Sequence, residues 1–335
     1  MVLRYIKVAL ILSHAALLTF STWLALELYT SLKPLEQKLI FEVDRGKNPK
    51  AISTTLKKRE VIKKKWPFLL GYKLFFSDES LKAGEYALYP PFSTKDVLVA
   101  ITEGKIYLHP LTIPEGLTAK ETSRLLGSQG LVKEEEFLEA FSKTEEISSY
   151  DLEAQNLEGY LFPETYFFPK GTPAKKIIST MIFQFKDIFK KEWTKRTREI
   201  GFTIREVVIL ASLIEKETSI SEEKKLVSAV FHNRLKRGMK LDCDPTIIYV
   251  LKLEDRFEGR LRTKHLTYDT PYNTYLYPGL PPGPICNPGK ESLLAALYPA
   301  EEDYLYFVSR NDGSHQFSRT FREHQRAVLH YQKRK

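Results

Sequence analysis

The stretch Val207–Thr218, VVILASLIEKET, sets a run of apolar residues directly against two glutamates. Thr203 followed three residues later by Glu206 forms a capping box, which predicts a helix start, and Val207, Val208, Ile209, Leu210, Ala211, Leu213 and Ile214 make that helix apolar on every side. Such a helix is a buried one. Glu215 falls four residues after Ala211 and seven after Val208, so it extends an apolar face at the helix end. Burial there disfavours the charged carboxylate and predicts a group able to donate a proton near neutrality. These residues alone leave a second reading open, in which Glu215, Lys216 and Glu217 merely begin a solvated helix end. Residues two apart on a helix point in nearly opposite directions, so Glu215 and Glu217 do not serve one small site. An ordinary glycosidase flanks its bond with two carboxylates, and this helix supplies one.

Outward from that helix, the 335 residues suffice for about two domains with cores of their own. Hydrophobic residues at 43% and charged residues at 28% fit a folded globular protein with one added apolar segment, and exclude a disordered chain. That segment is Val8–Leu26, free of formal charge, with Arg4 and Lys7 before it and Glu27 after it. Its length suits a bilayer-spanning helix, and the basic residues ahead favour a cytoplasmic N-terminus. No small-residue cleavage site follows, so a retained anchor is expected over 8–28, with residues 1–7 in the cytoplasm and the remainder outside it. A net charge of +9 raises nucleic acid as a partner. The charge is spread along the chain, however, and its densest run, Lys57–Lys65, reads as a solvated helix face or a surface for anionic headgroups; no nucleic-acid partner is expected.

Leu39–Val43 alternates like a strand, Asn48-Pro49 caps a following helix, Trp66–Phe76 reads as a second helix, Ala83–Leu88 as a short strand and Ser93 as the cap of a third helix ending before Gly104. This is a small α+β module at 38–104. Ile106–Ile113 reads as a strand, Pro114-Glu115-Gly116 as a turn, and Thr118 with Glu121 as a capping box. Lys175–Trp193 reads as one amphipathic helix. Ser219 with Glu222 is expected to cap the helix that carries His232 and ends at Gly238. With no HExxH, no CxxC and no histidine four residues from His232, neither a metal nor a cofactor is expected, and His232 reads as structural. Cys243 and Cys286 leave a disulfide open. The aromatic, proline-punctuated stretch Leu157–Pro169 reads either as a rigid wall beside a cleft or as a core-lining loop, whereas Thr267–Asn287 lacks any regular period, and its rings interspersed with amides and hydroxyls suit a carbohydrate. A hairpin at 304–318 and a helix capped by Thr320 and Glu323 close the chain.

The segments LKAGEYAL (81–88), LEGYLFPETY (157–166), ASLIEKET (211–218), VFHNRL (230–235), DPTIIY (244–249), TPYNTY (270–275), GLPPGPI (279–285) and YLYFV (304–308) resemble the YceG-like family, in the family's order. The resemblance covers nearly all of the chain after the apolar segment. It implies an α+β protein with an N-terminal transmembrane helix, a LysM-like peptidoglycan-binding module at 38–104 and a larger α+β catalytic domain at 107–335. It implies a peptidoglycan lytic transglycosylase that cuts within glycan strands at the bond between N-acetylmuramic acid and N-acetylglucosamine, ends nascent strands, leaves anhydromuramyl ends, and associates with peptidoglycan synthases. Glu215 is then the essential catalytic residue, first protonating the leaving oxygen and then, as carboxylate, taking the proton of the muramyl C6 hydroxyl. Asn273, Tyr275, Thr246, Asp244, Tyr166 and Glu164 are the candidates for holding and distorting the sugar. Two rivals remain: a muramidase that pairs Glu215 with Asp244 or Glu164 to activate water, and a non-catalytic anchored wall-binding protein.

Overall fold

The computed structural model describes residues 1–32 and 37–332, which fall into two compact units: residues 1–109 with 167–170, and 110–166 with 171–335. The expectations for 33–36 and 333–335 lie outside the described residues.

The first unit begins with helix α1, Val2–Tyr29, about 42 Å long at 1.5 Å per residue. Most of its apolar side chains, among them Leu10, Ile11, Leu12, Leu17 and Leu18, face no protein, and it is long and apolar enough to cross a membrane. Its last turns differ: Leu24 and Leu28 are buried and Trp23 stacks on Trp66 at 4.5 Å. They join a core built by strand β1 (Leu39–Val43), helices α2 (Pro49–Lys58) and α3 (Lys65–Phe75), strand β2 (Gly84–Leu88) and helix α4 (Thr94–Glu103). β1 and β2 pair antiparallel, Leu39 opposite Leu88 and Val43 opposite Gly84. Alternation buries Phe41, Val43 and Tyr86 against Ile52, Leu56, Phe68, Val97 and Ile101. The caps form as the sequence predicts: Asn48 accepts from Ala51 N–H at 2.9 Å, and Ser93 forms a reciprocal box with Asp96.

Strand β3 (Leu108–Thr112) carries the chain onward and pairs with β4 (Thr165–Pro169). Between them lie α5 (Ala119–Ser128), opened by the Thr118–Glu121 box, and α6 (Glu134–Phe141). The expected helix over 175–193 is two, α7 (Ala174–Ile188) and α8 (Lys191–Glu199). Phe189 breaks it because its ring, 1% exposed, turns inward to stack on Phe185 at 5.6 Å and meet Trp193 edge-on, a packing that a continuous helix does not offer. Helix α9 (Ile204–Glu217) is buried from Val207 through Ile214 and packs against α8, against α10 (Ser221–Lys236), against α11 (Asp244–Leu253) and against α13 (Lys290–Leu297), with α12 (Thr263–Leu266) a single turn just ahead of the segment 267–287. The expected Ser219 cap on α10 is absent. Thr218 does the local bonding instead, accepting from Ile220 N–H at 3.1 Å. β5 (Tyr306–Ser309) and β6 (His315–Ser318) form the closing hairpin, followed by α14 (Phe321–Tyr331) with its Thr320–Glu323 box.

Candidate active site

Helix α9 delivers Glu215 to its C-terminal end, where three further segments meet it. The loop 279–289 is fastened along α9, since Ser212 Oγ accepts from Ile285 N–H at 3.0 Å and the Cys286 thiol donates to the Ser212 carbonyl at 3.4 Å. That fastening brings Gly289 and the first turn of α13 to the carboxylate. Gly289 N–H donates to Glu215 Oε2 at 3.0 Å and Ser292 Oγ donates to the same oxygen at 2.6 Å, in the position where a helix N-terminus favours negative charge. From α10, Lys224 Nζ reaches both carboxylate oxygens, at 3.2 and 3.3 Å. The Glu215 side chain is 8% exposed and that of Lys224 5%.

The apolar niche expected around Glu215 is therefore a polar one. Its neighbours one and two turns back are buried apolar residues, but the carboxylate itself projects past them into an ammonium, an amide and a hydroxyl. Removing one partner of such a buried pair leaves an uncompensated charge, at a cost of about 3–5 kcal/mol.

A second carboxylate stands here, one that the sequence presents only as part of a turn. Glu115, in Pro114-Glu115-Gly116, has Oε2 3.8 Å from Lys224 Nζ and a side chain 49% exposed. Burial first, then the charge of Glu215, push its carboxyl above the usual range; Glu291 adds to this and Lys224 opposes it. The turn is pinned by Gly116 N–H to the Asn287 carbonyl at 2.9 Å and by Lys216 Nζ to the Gly116 carbonyl at 3.2 Å. Proximity across about a hundred residues of chain leaves no trace in spacing; the only signal was an acid between proline and glycine.

Glu217 points elsewhere, as two-residue spacing requires. It meets the Cys243 thiol, and desolvation pushes its carboxyl up to about 7, with Asp244 adding and Arg234 opposing. Cys243 and Cys286 are both buried and free, so no disulfide joins them. Around Cys243 lie several residues expected to hold sugar, and most have other duties. Thr246 is wholly buried, its hydroxyl donating to the Cys243 carbonyl at 2.7 Å. Asn273, also wholly buried, gives both amide hydrogens to the Leu266 and Tyr268 carbonyls and accepts from Tyr275 N–H. These two brace the loop and present no free polar atom to a sugar. Asp244 is exposed and accepts from the Tyr275 hydroxyl at 2.7 Å, so this pair keeps a face to solvent. Tyr166 is buried with its hydroxyl on the Phe162 carbonyl at 2.6 Å, and Glu164 is exposed, its carboxylate accepting from Thr165 N–H. Neither Asp244 nor Glu164 bonds to Glu215. His232 is structural: its Nε2 bonds the Ala296 carbonyl at 2.9 Å and burial lowers its pKa.

Asn287, absent from the expected site, is the node of this region. Its Oδ1 accepts from Gly159 and Leu161 N–H and its Nδ2 donates to the Leu117 carbonyl and to Glu158. Glu158 is 3% exposed beneath the start of α5, where it accepts from Ala119 N–H, and burial pushes its carboxyl up to about 8. A cavity of about 890 Å³ lined by Asp151, Phe202, Arg205, Pro281 and Pro282 opens at the other end of α9. Arg205 there is about 15 Å of helix from Glu215 and is already paired with Asp151, so the larger hollow and the carboxylate cluster are separate features. Among the described residues no group of three potential ligands could hold a metal ion.

The family model described as "YceG-like family" matches residues 41–330. Over 326 residues the chain is 31% identical to the protein named "Endolytic murein transglycosylase" of Bacillus subtilis, covering 90% of this chain and 88% of that one. A Streptococcus pneumoniae protein of the same name is 29% identical over 325 residues, which cover 86% of this chain and 57% of the relative. A crystal structure of a yceG-like protein from Listeria monocytogenes superposes with a TM-score of 0.59 at 32% identity, covering 88% of this chain and all of that one. With a family match running across both units and a relative of nearly the same length, the chain belongs to the YceG-like family.

Proposed function

We propose that this chain is a peptidoglycan lytic transglycosylase that cuts within glycan strands, with Glu215 as a catalytic carboxylate. The observation that carries the proposal is the Glu215 carboxylate itself, held at the end of a buried helix by Lys224, Gly289 N–H and Ser292. Fixed donors of this kind hold the carboxylate in one orientation, so it needs no reorganisation as the reaction proceeds. In the reaction the muramyl C1–O bond breaks with its electron pair going to the N-acetylglucosamine oxygen, the C6 oxygen closes onto C1, and the C6 proton ends on the leaving oxygen. Glu215 takes the C6 proton on Oε1, which among the described residues has a contact to Lys224 alone, whereas Oε2 accepts from Lys224, Gly289 and Ser292. The names of the relatives support the substrate and the strand-internal cut.

The finer assignments rest on placement. The β1-α2-α3-β2 order of residues 39–88, with its two strands paired antiparallel, supports a LysM-like peptidoglycan-binding module at 38–104, and the second unit supports a catalytic domain at 107–335. The uncovered apolar length of α1 supports an anchor over 8–28 in the cell membrane, N-terminus cytoplasmic and both units outside. Ending nascent strands beside peptidoglycan synthases follows from an anchored enzyme acting where strands emerge. Asp244 and Tyr275 are the sugar contacts we retain from the aromatic loops; Tyr166 and Glu164 serve through the 157–169 loop, and Thr246 and Asn273 by bracing.

Purified sacculi digested by the full-length protein test this: the wild type releases fragments with anhydromuramyl ends, and Glu215→Gln loses at least about 100-fold in rate. Retained cutting by Glu215→Gln would falsify the assignment.

A further inference from the structure

We propose that Glu115 is the proton donor of the cut, acting opposite Glu215, so that two carboxylates on one lysine divide the acid and base work. The inference rests on the lytic transglycosylase reading and deepens it. Three observations carry it.

First, one ammonium serves both groups: Lys224 Nζ lies 3.2 Å from Glu215 Oε1 and 3.8 Å from Glu115 Oε2. Second, Gly289 separates them. Its N–H bonds Glu215, while a Cβ at this position would stand 1.9 Å from Glu115 Oε1. Gly289 has φ −77°, a conformation open to any residue, so the backbone does not demand glycine here. What a side chain would meet there is the end of the Glu115 carboxylate. Third, the two environments are opposite. Both oxygens of Glu215 face the ammonium and one also takes an amide and a hydroxyl, so that carboxylate is ringed by donors. Glu115 is half exposed, and among the described residues nothing hydrogen-bonds its carboxylate. The other charges facing it are Glu291, which favours a retained proton, and Lys224; Lys216 is turned to the Gly116 carbonyl. Pairs of carboxyl groups held in opposed environments divide acid from base.

The step balances without water or cofactor. Glu115 gives its proton to the bridging oxygen as the C1–O electron pair moves onto that oxygen. The C6 oxygen forms its bond to C1 and its proton passes to Glu215. Return of one proton from Glu215 to Glu115 resets the site.

The test uses full-length protein in detergent with two substrates: purified glycan strands, and a muramyl glycoside whose leaving group is 4-nitrophenolate and departs without protonation. Glu115→Gln is expected to slow strand cutting about 100- to 10,000-fold and to keep activity on the nitrophenyl substrate within about tenfold, whereas Glu215→Gln loses both. Gly289→Ala supplies a second variant, because the atom its Cβ meets is the flexible end of Glu115 and can swing aside without unfolding the site. It should show an unchanged thermal transition and the same selective loss of strand cutting. Glu115→Gln that cuts strands within about threefold of wild type, or that loses both substrates equally while folded, overturns the donor role and leaves the transglycosylase reading standing. If Glu115→Gln does not fold, Gly289→Ala decides by the same criterion. Reducing ends from the wild type would instead overturn the reading on which the proposal rests.

Discussion

Glu215 is buried against a lysine, whereas Glu158 is buried against one backbone amide, a tyrosine and an asparagine, and the two carboxylates consequently do different things. Burial raises Glu158 to about 8 and Glu217 to about 7, from 4.5 in the unfolded chain. A carboxyl raised on folding binds its proton more tightly in the native state. Its contribution is fully present below about pH 4.5 and is lost as pH rises through the folded value. Thermal unfolding in detergent should therefore show stability falling between about pH 5 and pH 8, by on the order of 3–5 kcal/mol for Glu158 alone. Glu158→Gln should remove most of that slope, and an unchanged slope in the variant would contradict the assignment. At this scale the sequence exposed Glu215 through the apolar run before it, yet hid its partners. Nothing in the sequence singles out Lys224, and Glu115 reads as a turn residue, because their meeting is made by the fold. Asn273 misled in the other direction: an amide among tyrosines suggests a sugar contact, but a long irregular loop first needs its own carbonyls satisfied.

Elements were the most legible level. The boxes at Thr118, Thr203 and Thr320 form because a hydroxyl and a carboxylate three residues apart satisfy local amides whatever surrounds them. The break at Phe189 was invisible since it depends on rings from three helical turns finding a common pocket. The loop 279–289 is fastened along α9 through Ser212, and Gly159 closes on it from the other side. It has φ +87°, and a Cβ there would meet Pro284 at 2.6 Å and Val208 at 2.7 Å, so the 157–161 turn closes on both α9 and the loop. Gly159→Ala should cost more than about 3 kcal/mol, through strain and overpacking together, and should lower activity by displacing the loop that carries Gly289. A variant with wild-type stability and rate would show that the loop is not positioned this way.

For the whole molecule, the sequence marks an apolar segment, a small α+β module and a larger α+β region; the structure has an apolar N-terminal helix and two compact units. What it did not reveal is that the last turns of α1 enter the core of the first unit through Leu24 and Leu28. If α1 is an anchor, its removal should both release the protein from membranes and destabilise the first unit, since those two side chains leave a cavity costing about 2–5 kcal/mol each. Alkaline carbonate extraction should leave the full-length chain in the membrane pellet, and release into the supernatant would contradict the anchor.

The central claim is that carboxylates around Lys224 move a proton from the sugar's own C6 hydroxyl to the departing oxygen, so that water takes no part. Digestion of glycan strands in heavy-oxygen water, followed by mass spectrometry of the new muramyl ends, measures this directly. The account predicts ends lighter by one water than hydrolytic ends and free of the heavy isotope; reducing ends that carry it would contradict the account.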